Sequence, residues 1–174
     1  MEILHIYPCT NCPYSCKFCY VNKSTKSLDI NVLDSFLKDN VQKFDKIIIS
    51  GGEPEHLEKI YFNDVVDTVK KYTDTVYVQT YPTSIKNYRE DVEYILSYDF
   101  FERPCRMEAW DNILKFPKQF DLQMVLTPTN ISLNPNAIFR KLALLKNMKS
   151  IEFMPFYDEY INVQKMKKTN YLLL

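Results

Sequence analysis

The chain has 174 residues, with 22 lysines and arginines against 22 aspartates and glutamates, and 46% of its residues are hydrophobic. This length suits one domain with one sizeable core. The formal net charge of zero gives no overall attraction to nucleic acid or to an anionic membrane. No apolar run approaches the ~20 residues that a membrane span needs, and the first residues lack the pattern of a secretory signal. We therefore expect a cytoplasmic protein.

Short apolar strands alternate with amphipathic helices along the chain. The predicted strands lie at 3–7, 46–50, 75–80, 94–98, 121–126 and 150–155. The predicted helices comprise one that begins behind an Asp29 cap, one capped by Asn63, and three more at 84–91, 107–116 and 136–145. This alternation predicts a parallel sheet with right-handed crossovers. Since a full barrel needs eight units, we expect an α/β fold that forms a partial (β/α)6 TIM-like barrel with mostly parallel strands.

Four of the five cysteines lie within eleven residues, at Cys9, Cys12, Cys16 and Cys19, while Cys105 stands alone. Without a secretory signal, this cluster indicates a metal or redox site and not a disulfide framework. Two kinds of site fit the spacing. Two CxxC pairs would give four thiolates to zinc, although the linker between them is short for a zinc fold. Alternatively, Cys12, Cys16 and Cys19 would ligate an iron-sulfur cluster, with Cys9 outside the ligand set.

The chain contains only two glycines, Gly51 and Gly52, and they are adjacent. At average usage a chain of this length would carry about twelve. A coding bias toward lysine, asparagine, tyrosine and isoleucine would also lower this number. However, the pair follows the second predicted strand, just as the cysteines follow the first. The loops that follow parallel strands open onto one edge of the sheet, so the two segments are expected to meet there.

The cysteine and glycine segments carry a specific resemblance. Cys12, Cys16 and Cys19 form a CxxxCxxC pattern with the aromatic Phe18 before the last cysteine, and residues 51–54 read GGEP. In these motifs, and in the order of its six units, the sequence resembles the radical S-adenosylmethionine (radical SAM) superfamily. The match suggests a minimal member that consists of the catalytic core.

The resemblance implies an enzyme with a [4Fe-4S] cluster on Cys12, Cys16 and Cys19, whose open iron binds S-adenosylmethionine. Reductive cleavage of this cofactor would give a 5'-deoxyadenosyl radical that abstracts hydrogen from a substrate, in an oxygen-sensitive reaction that needs an external one-electron reductant. A side chain at Gly52 would then exclude the cofactor and leave the cluster in place. Residues implied to border the cofactor are Phe18, Gly51, Gly52, Glu53, Pro54, Thr80, Ser97, Asp99, Phe153 and Met154.

The resemblance covers about residues 3–156, so we interpret 1–174 as a single core domain with a short tail at 157–174. Little chain would remain for a lid. We therefore expect a large substrate, or a partner protein, that closes the opening. The substrate classes that fit are nucleotides or nucleic-acid bases, peptides and small molecules, and no individual catalytic residue is assigned.

Three alternatives to this interpretation stay open. The first is an activase of a glycyl-radical enzyme, of the small anaerobic ribonucleotide reductase type, although the glycine-containing lead expected before Cys12 is missing. The second is a non-catalytic module with zinc on four cysteines, in which Cys9 would matter as much as Cys12. The third is a scaffold subunit that binds the cofactor without catalysis. Among single residues, Cys9 is expected to be a small buried side chain and His5 a core residue, whereas His56 would face solvent or substrate.

Overall fold

The computed structural model describes residues 2–19 and 21–155, so the predicted tail lies outside the described residues. Six parallel strands form one sheet in the order β1-β2-β3-β4-β5-β6. The strands are β1 (Ile3–Ile6), β2 (Lys46–Ile49), β3 (Val76–Thr80), β4 (Glu93–Ser97), β5 (Phe120–Leu126) and β6 (Met148–Pro155). The sheet does not close, because β1 and β6 remain its two edges. The predicted partial barrel is therefore confirmed.

Five α-helices connect these strands within the described residues. They are α1 (Ile30–Asn40), α2 (Lys59–Lys70), α3 (Arg106–Leu114), the short α4 (Pro128–Ile131) and α5 (Pro135–Leu142), and two 3-10 turns cover Val41–Lys43 and Pro54–His56. The predicted cap of α1 is confirmed, since the Asp29 carboxylate accepts from the Asn31 N–H. The predicted cap of α2 is wrong. This helix begins behind Glu58, so Asn63 lies inside it.

The helix predicted at 84–91 does not form, and the connection from β3 to β4 is irregular. Asn87 in this connection is buried, and its side-chain amide donates to the carbonyls of Pro54 and Leu57, both at 3.0 Å. These tertiary hydrogen bonds fix an irregular path that local helix propensity would not produce. The connection is thereby attached to the segment that follows β2.

The two faces of the sheet differ in character. The face that packs against the helices is apolar, as Val76 and Val78 illustrate in β3. The opposite face, which we call the polar face, carries half-buried or exposed polar side chains that the strand register places on one side. They include His5, Tyr77, Gln79, Gln123 and Glu152.

All loops that follow the carboxyl ends of the strands open at one edge of the sheet, because the strands are parallel. The cysteine segment follows β1, and the glycine pair follows β2. Within the described part of the chain, none of the helices has the length and apolar character that a membrane crossing requires.

Candidate functional site

The cysteine segment rests directly on the glycine turn. We use "cysteine loop" for residues 9–28. The Gly52 N–H donates to the Cys9 carbonyl at 2.9 Å, and the Glu53 N–H donates to the Asn11 carbonyl at 3.2 Å. Two backbone hydrogen bonds therefore join the motif after β1 to the motif after β2.

Backbone conformation at Gly51 and steric contact at Gly52 explain why both residues of the turn are glycine. Gly51 has a φ of +104°, which L side chains rarely adopt. A Cβ atom at Gly52 would lie 2.0 Å from the Asn11 carbonyl oxygen and 2.9 Å from the Thr10 carbonyl carbon. The contact that excludes a side chain here is thus with the backbone of the cysteine loop. Close approach of the cofactor to this turn stays a prediction.

The three cysteines of the CxxxCxxC pattern are more exposed than Cys9 at the start of the loop. Cys12 and Cys16 are partly buried and Cys19 is exposed, and the Cys19 N–H donates to the Cys16 carbonyl at 3.1 Å. Burial raises the pKa of Cys12, and Glu53 and Cys19 add to that rise. Burial also raises the pKa of Cys16, which the charges of Cys12 and Cys19 raise further.

The effect of neighbouring thiols on the pKa values of Cys12 and Cys16 is a test of the donor set. Negative charge on a neighbouring thiol disfavours the thiolate form of Cys12 and Cys16, and a common positive partner would favour it. Thiolate is the ligand that iron-sulfur clusters need. The donor set therefore fits such a cluster in its chemistry, although no three His, Cys, Asp or Glu side chains of the described residues form a preassembled metal site.

The remaining two cysteines differ from these three. Cys9 is 9% exposed, accepts from the Asn11 N–H at 3.2 Å, and donates to the Ser24 carbonyl at 3.5 Å. Its prediction as a small buried side chain is confirmed. Cys105 is exposed and precedes α3 with a φ of 51°.

Glu53 is a buried carboxylate that links the glycine turn to the end of β3. One oxygen accepts from the Thr80 hydroxyl and from the Glu55 N–H at 3.2 Å, and the other accepts from the Tyr81 N–H at 2.9 Å. Burial raises the pKa of Glu53 to about 7, against the effect of these hydrogen bonds. The predicted contacts of Glu53 and Thr80 with the cofactor stay predictions. In this structure, the two side chains bind each other.

Arg103 is a residue of the site that the sequence analysis missed. Its Nε donates at 2.7 Å to the carboxylate of Asp99, which is fully buried and also accepts from the Glu102 N–H. The guanidinium lies 4.8 Å from the centre of the Phe18 ring and 5.0 Å from that of Tyr81. Arg103 thus connects the cysteine loop to the ends of β3 and β4.

We expect Arg103→Met to destabilise the fold, because it leaves the Asp99 charge buried without its cationic partner. The two side chains are 13% and 0% exposed, and breaking a buried pair in this way costs about 3–5 kcal/mol of unfolding free energy. Urea denaturation measures this loss. The double variant Asp99→Asn/Arg103→Met removes the charge and should recover part of it. An unchanged urea midpoint for Arg103→Met would show that the pair is not a structural anchor.

Tyr14, between two of the cysteines, attaches the loop at a second point. Its hydroxyl hydrogen-bonds to His56 Nε2 at 3.0 Å and to the Thr83 hydroxyl, and its ring packs edge-on against Tyr81 with 5.3 Å between centroids. Burial lowers the pKa of His56, and Lys86 lowers it further. Through its hydrogen bond with Tyr14, His56 is a partner of the cysteine loop in this structure.

Three further residues predicted to border the cofactor, Ser97, Phe153 and Met154, do not all lie on the same face of the sheet. Ser97 is buried and lies in register with Gln123, on the polar face. Met154 shares that face through its register with Val125, whereas Phe153 is in register with the buried Met124 on the helix side. Contact of these side chains with the cofactor stays a prediction, as it does for Pro54, which opens the 3-10 turn.

A chain of side-chain hydrogen bonds crosses the polar face, and the sequence analysis missed its members Gln123 and Glu152. Gln79 donates to Gln123 at 2.5 Å, and Gln123 donates to Glu152 at 3.1 Å. The indication in the sequence was the alternation of polar with apolar residues along the last two strands. These side chains give the polar face a line of amide and carboxylate groups.

The fold has counterparts among solved structures. SuiB of Streptococcus suis aligns with 90% of this chain and 40% of its own, at a TM-score of 0.68 and 15% identity. Native anSMEcpe, with bound AdoMet and Cp18Cys peptide, aligns with 98% of this chain and 55% of its own, at a TM-score of 0.69 and 17% identity. The chain thus spans about half the length of these proteins or less. No family model matches the sequence, and no curated protein matches it.

At these identities the comparison concerns the fold. The described residues therefore form a six-stranded partial TIM-like barrel of the kind found in SuiB and in anSMEcpe.

Proposed function

We propose that this chain is a radical SAM enzyme that holds a [4Fe-4S] cluster on Cys12, Cys16 and Cys19. The observation that carries the proposal is the direct seating of the cysteine loop on the Gly51-Gly52 turn. An ordinary tight turn has no need of such contact with a cysteine cluster. When bound, the cluster supplies one electron that cleaves S-adenosylmethionine to methionine and a 5'-deoxyadenosyl radical, which abstracts hydrogen from the substrate.

Two further observations support this proposal. Cys19 raises the pKa of Cys12, and both Cys12 and Cys19 raise the pKa of Cys16, as expected of thiols close enough to share a cationic partner. In addition, a solved structure of the same fold, native anSMEcpe, contains bound AdoMet. S-adenosylmethionine would therefore lie at the carboxyl edge of the sheet, beside the cysteine loop and the glycine turn.

The chain's own residues would orient the reactants and exclude water from them. Arg103 and Tyr14 fix the cysteine loop from two sides. Ser97 and Met154 would border the cofactor from the polar face, and Gln123 offers it or the substrate an amide.

We also propose that the substrate is large, or that a partner protein completes the site. The polar face is only partly covered, since Gln79 and Gln123 are half-buried and Glu152 is exposed. A radical reaction requires exclusion of water, so a further body would have to cover this face.

Anaerobic reconstitution with iron and sulfide tests the function, followed by addition of dithionite and S-adenosylmethionine. We expect visible iron-sulfur absorption, iron and sulfide in near equimolar amounts, and 5'-deoxyadenosine detected by chromatography. Omission of dithionite is the control and should give no product. Stoichiometric zinc in place of iron, with no deoxyadenosine, would contradict the proposal and favour the zinc module.

A further inference from the structure

Asn87, in the connection from β3 to β4, makes three hydrogen bonds to the segment that follows the glycine pair. Its side-chain amide donates to the carbonyls of Pro54 and Leu57, both at 3.0 Å, and its backbone N–H donates to a Glu55 carboxylate oxygen at 2.8 Å. Asn87 is 2% exposed and Glu55 is 1% exposed. Because both N–H groups of its side-chain amide are used and the side chain is buried, Asn87 has no donor left for a ligand.

The segment that Asn87 contacts is a single 3-10 turn, Pro54–His56, with little internal support. The His56 N–H donates to the Glu53 carbonyl at 2.9 Å, and the Leu57 N–H donates to the Pro54 carbonyl at 3.2 Å. Hydrogen bonds of this type have poorer geometry than those of an α-helix. The position of the turn therefore depends on contacts from other segments, and Asn87 supplies such contacts at both ends of it.

The buried Glu55 carboxylate is a second link between this turn and the connection. Burial raises the pKa of Glu55, against the hydrogen bond from the Asn87 N–H and the charge of Lys86. The other carboxylate oxygen has no hydrogen-bond partner in the part of the chain that the structure describes. A buried carboxylate is costly unless it is hydrogen-bonded, so the bond from Asn87 stabilises it. Since the Glu55 N–H also donates to the Glu53 carboxylate, the link reaches the residue next to Gly52.

The residues that follow Asn87 hold it in place. The Tyr88 ring stacks on Tyr94 of β4, with 5.6 Å between centroids and 11° between planes. The Arg89 guanidinium pairs with Asp67 of α2 at 2.7 Å. These contacts attach the connection to β4 and to α2, so Asn87 extends from a fixed backbone. A residue that positions another segment must itself be held in this way.

We propose that Asn87 is a positioning residue: it holds the Gly51-Gly52 turn where S-adenosylmethionine binds, and it does not itself touch the cofactor. The inference rests on the proposed function, in which the cofactor lies beside this turn. The cysteine loop has separate attachments, through the N–H groups of Gly52 and Glu53 and through Tyr14. Loss of the Asn87 side chain should therefore leave the cluster in place and weaken cofactor binding.

The substitution Asn87→Ala tests the proposal, with Asn112→Ala as the matched control. The Asn112 side chain, in α3, donates to the Pro82 carbonyl of the same connection at 2.8 Å. Its loss removes a comparable hydrogen bond that does not reach the turn. After anaerobic reconstitution, iron and sulfide content measures the cluster, equilibrium dialysis measures the dissociation constant of S-adenosylmethionine, and urea denaturation measures stability. A merely structural role would lower stability and leave the dissociation constant of folded, cluster-loaded protein unchanged.

We expect Asn87→Ala to keep its cluster and to bind S-adenosylmethionine at least about tenfold more weakly than wild type, because small displacements at a reaction site are costly. KM for the cofactor should rise by a similar factor, with a smaller change in kcat. Asn112→Ala should bind the cofactor as wild type does. If Asn87→Ala does not fold, Asn87→Ser takes its place under the same criteria, because its hydroxyl keeps one donor.

Unchanged cofactor binding in the folded Asn87 variant, or equal weakening in the Asn87 and Asn112 variants, would overturn the positioning role. Loss of the cluster from the Asn87 variant would overturn it too, because the residue would then support the cysteine loop. Wild type separates this inference from the proposed function. If wild type assembles a cluster and forms 5'-deoxyadenosine, a negative result concerns Asn87 alone; if it does neither, the proposed function fails and the inference fails with it.

Discussion

Cys16→Ala is expected to abolish both cluster assembly and formation of 5'-deoxyadenosine. The CxxxCxxC pattern offers three thiolates, so the loss of one leaves too few protein ligands to retain the cluster. Cys16 is half-buried, and its pKa responds to both Cys12 and Cys19. Alanine removes the sulfur without adding bulk. Iron and sulfide content, visible absorption and deoxyadenosine yield after anaerobic reconstitution measure the loss.

Two other cysteine variants are the matched controls for this prediction. Cys105→Ala changes an exposed thiol outside the pattern and should retain the cluster. Cys9→Ala removes the hydrogen bonds with Asn11 and Ser24, so it should lower stability modestly and still permit cluster assembly. If Cys9→Ala lost metal as completely as Cys16→Ala, and the metal were zinc, the four-cysteine module would replace the enzyme.

The positions of the six strands could be predicted because each strand is a short apolar run between polar connections. In a parallel sheet, the alternation of strands and helices along the chain also determines which loops share an edge. The meeting of the cysteine and glycine segments could therefore be predicted as well. The reason why both residues of the turn are glycine could not be predicted. Only the structure shows that the Asn11 backbone occupies the space of a Cβ atom at Gly52.

The incorrect helix at 84–91 and the omission of Arg103 have a common physical origin in contacts between residues far apart in the chain. Residues 84–91 have a helix-like pattern, but Asn87 hydrogen-bonds to carbonyls about thirty residues earlier. Arg103 contacts Phe18, which is even more distant along the chain. Its spacing of four from Asp99 was visible in the sequence, yet such spacing is common on exposed segments. A single sequence does not show which pairs meet in space.

Gly52→Ala is expected to reduce deoxyadenosine formation by about a hundredfold or more, because a misplacement of about 1 Å at a reaction centre costs this much. The new methyl group would lie 2.0 Å from the Asn11 carbonyl oxygen, which is backbone and cannot rotate away. The loop would have to move, with loss of the hydrogen bonds from Gly52 to Cys9 and from Glu53 to Asn11. The sequence alone predicts a block of the cofactor with the cluster retained. The structure leads us to expect reduced cluster content too.

Asn11→Ala is the matched control for Gly52→Ala, because it removes the Asn11 side chain and keeps the carbonyl that contacts the glycine. It should retain near wild-type cluster content and activity. Circular dichroism of both variants before reconstitution separates loss of the loop contact from global unfolding, since Gly52 lies outside the six strands. Full cluster content and normal deoxyadenosine formation in a folded Gly52→Ala protein would contradict the role of the glycine turn as the support of the cysteine loop. Loss of activity with full cluster content would instead mean that the cofactor, and not the loop, occupies the space beside Gly52.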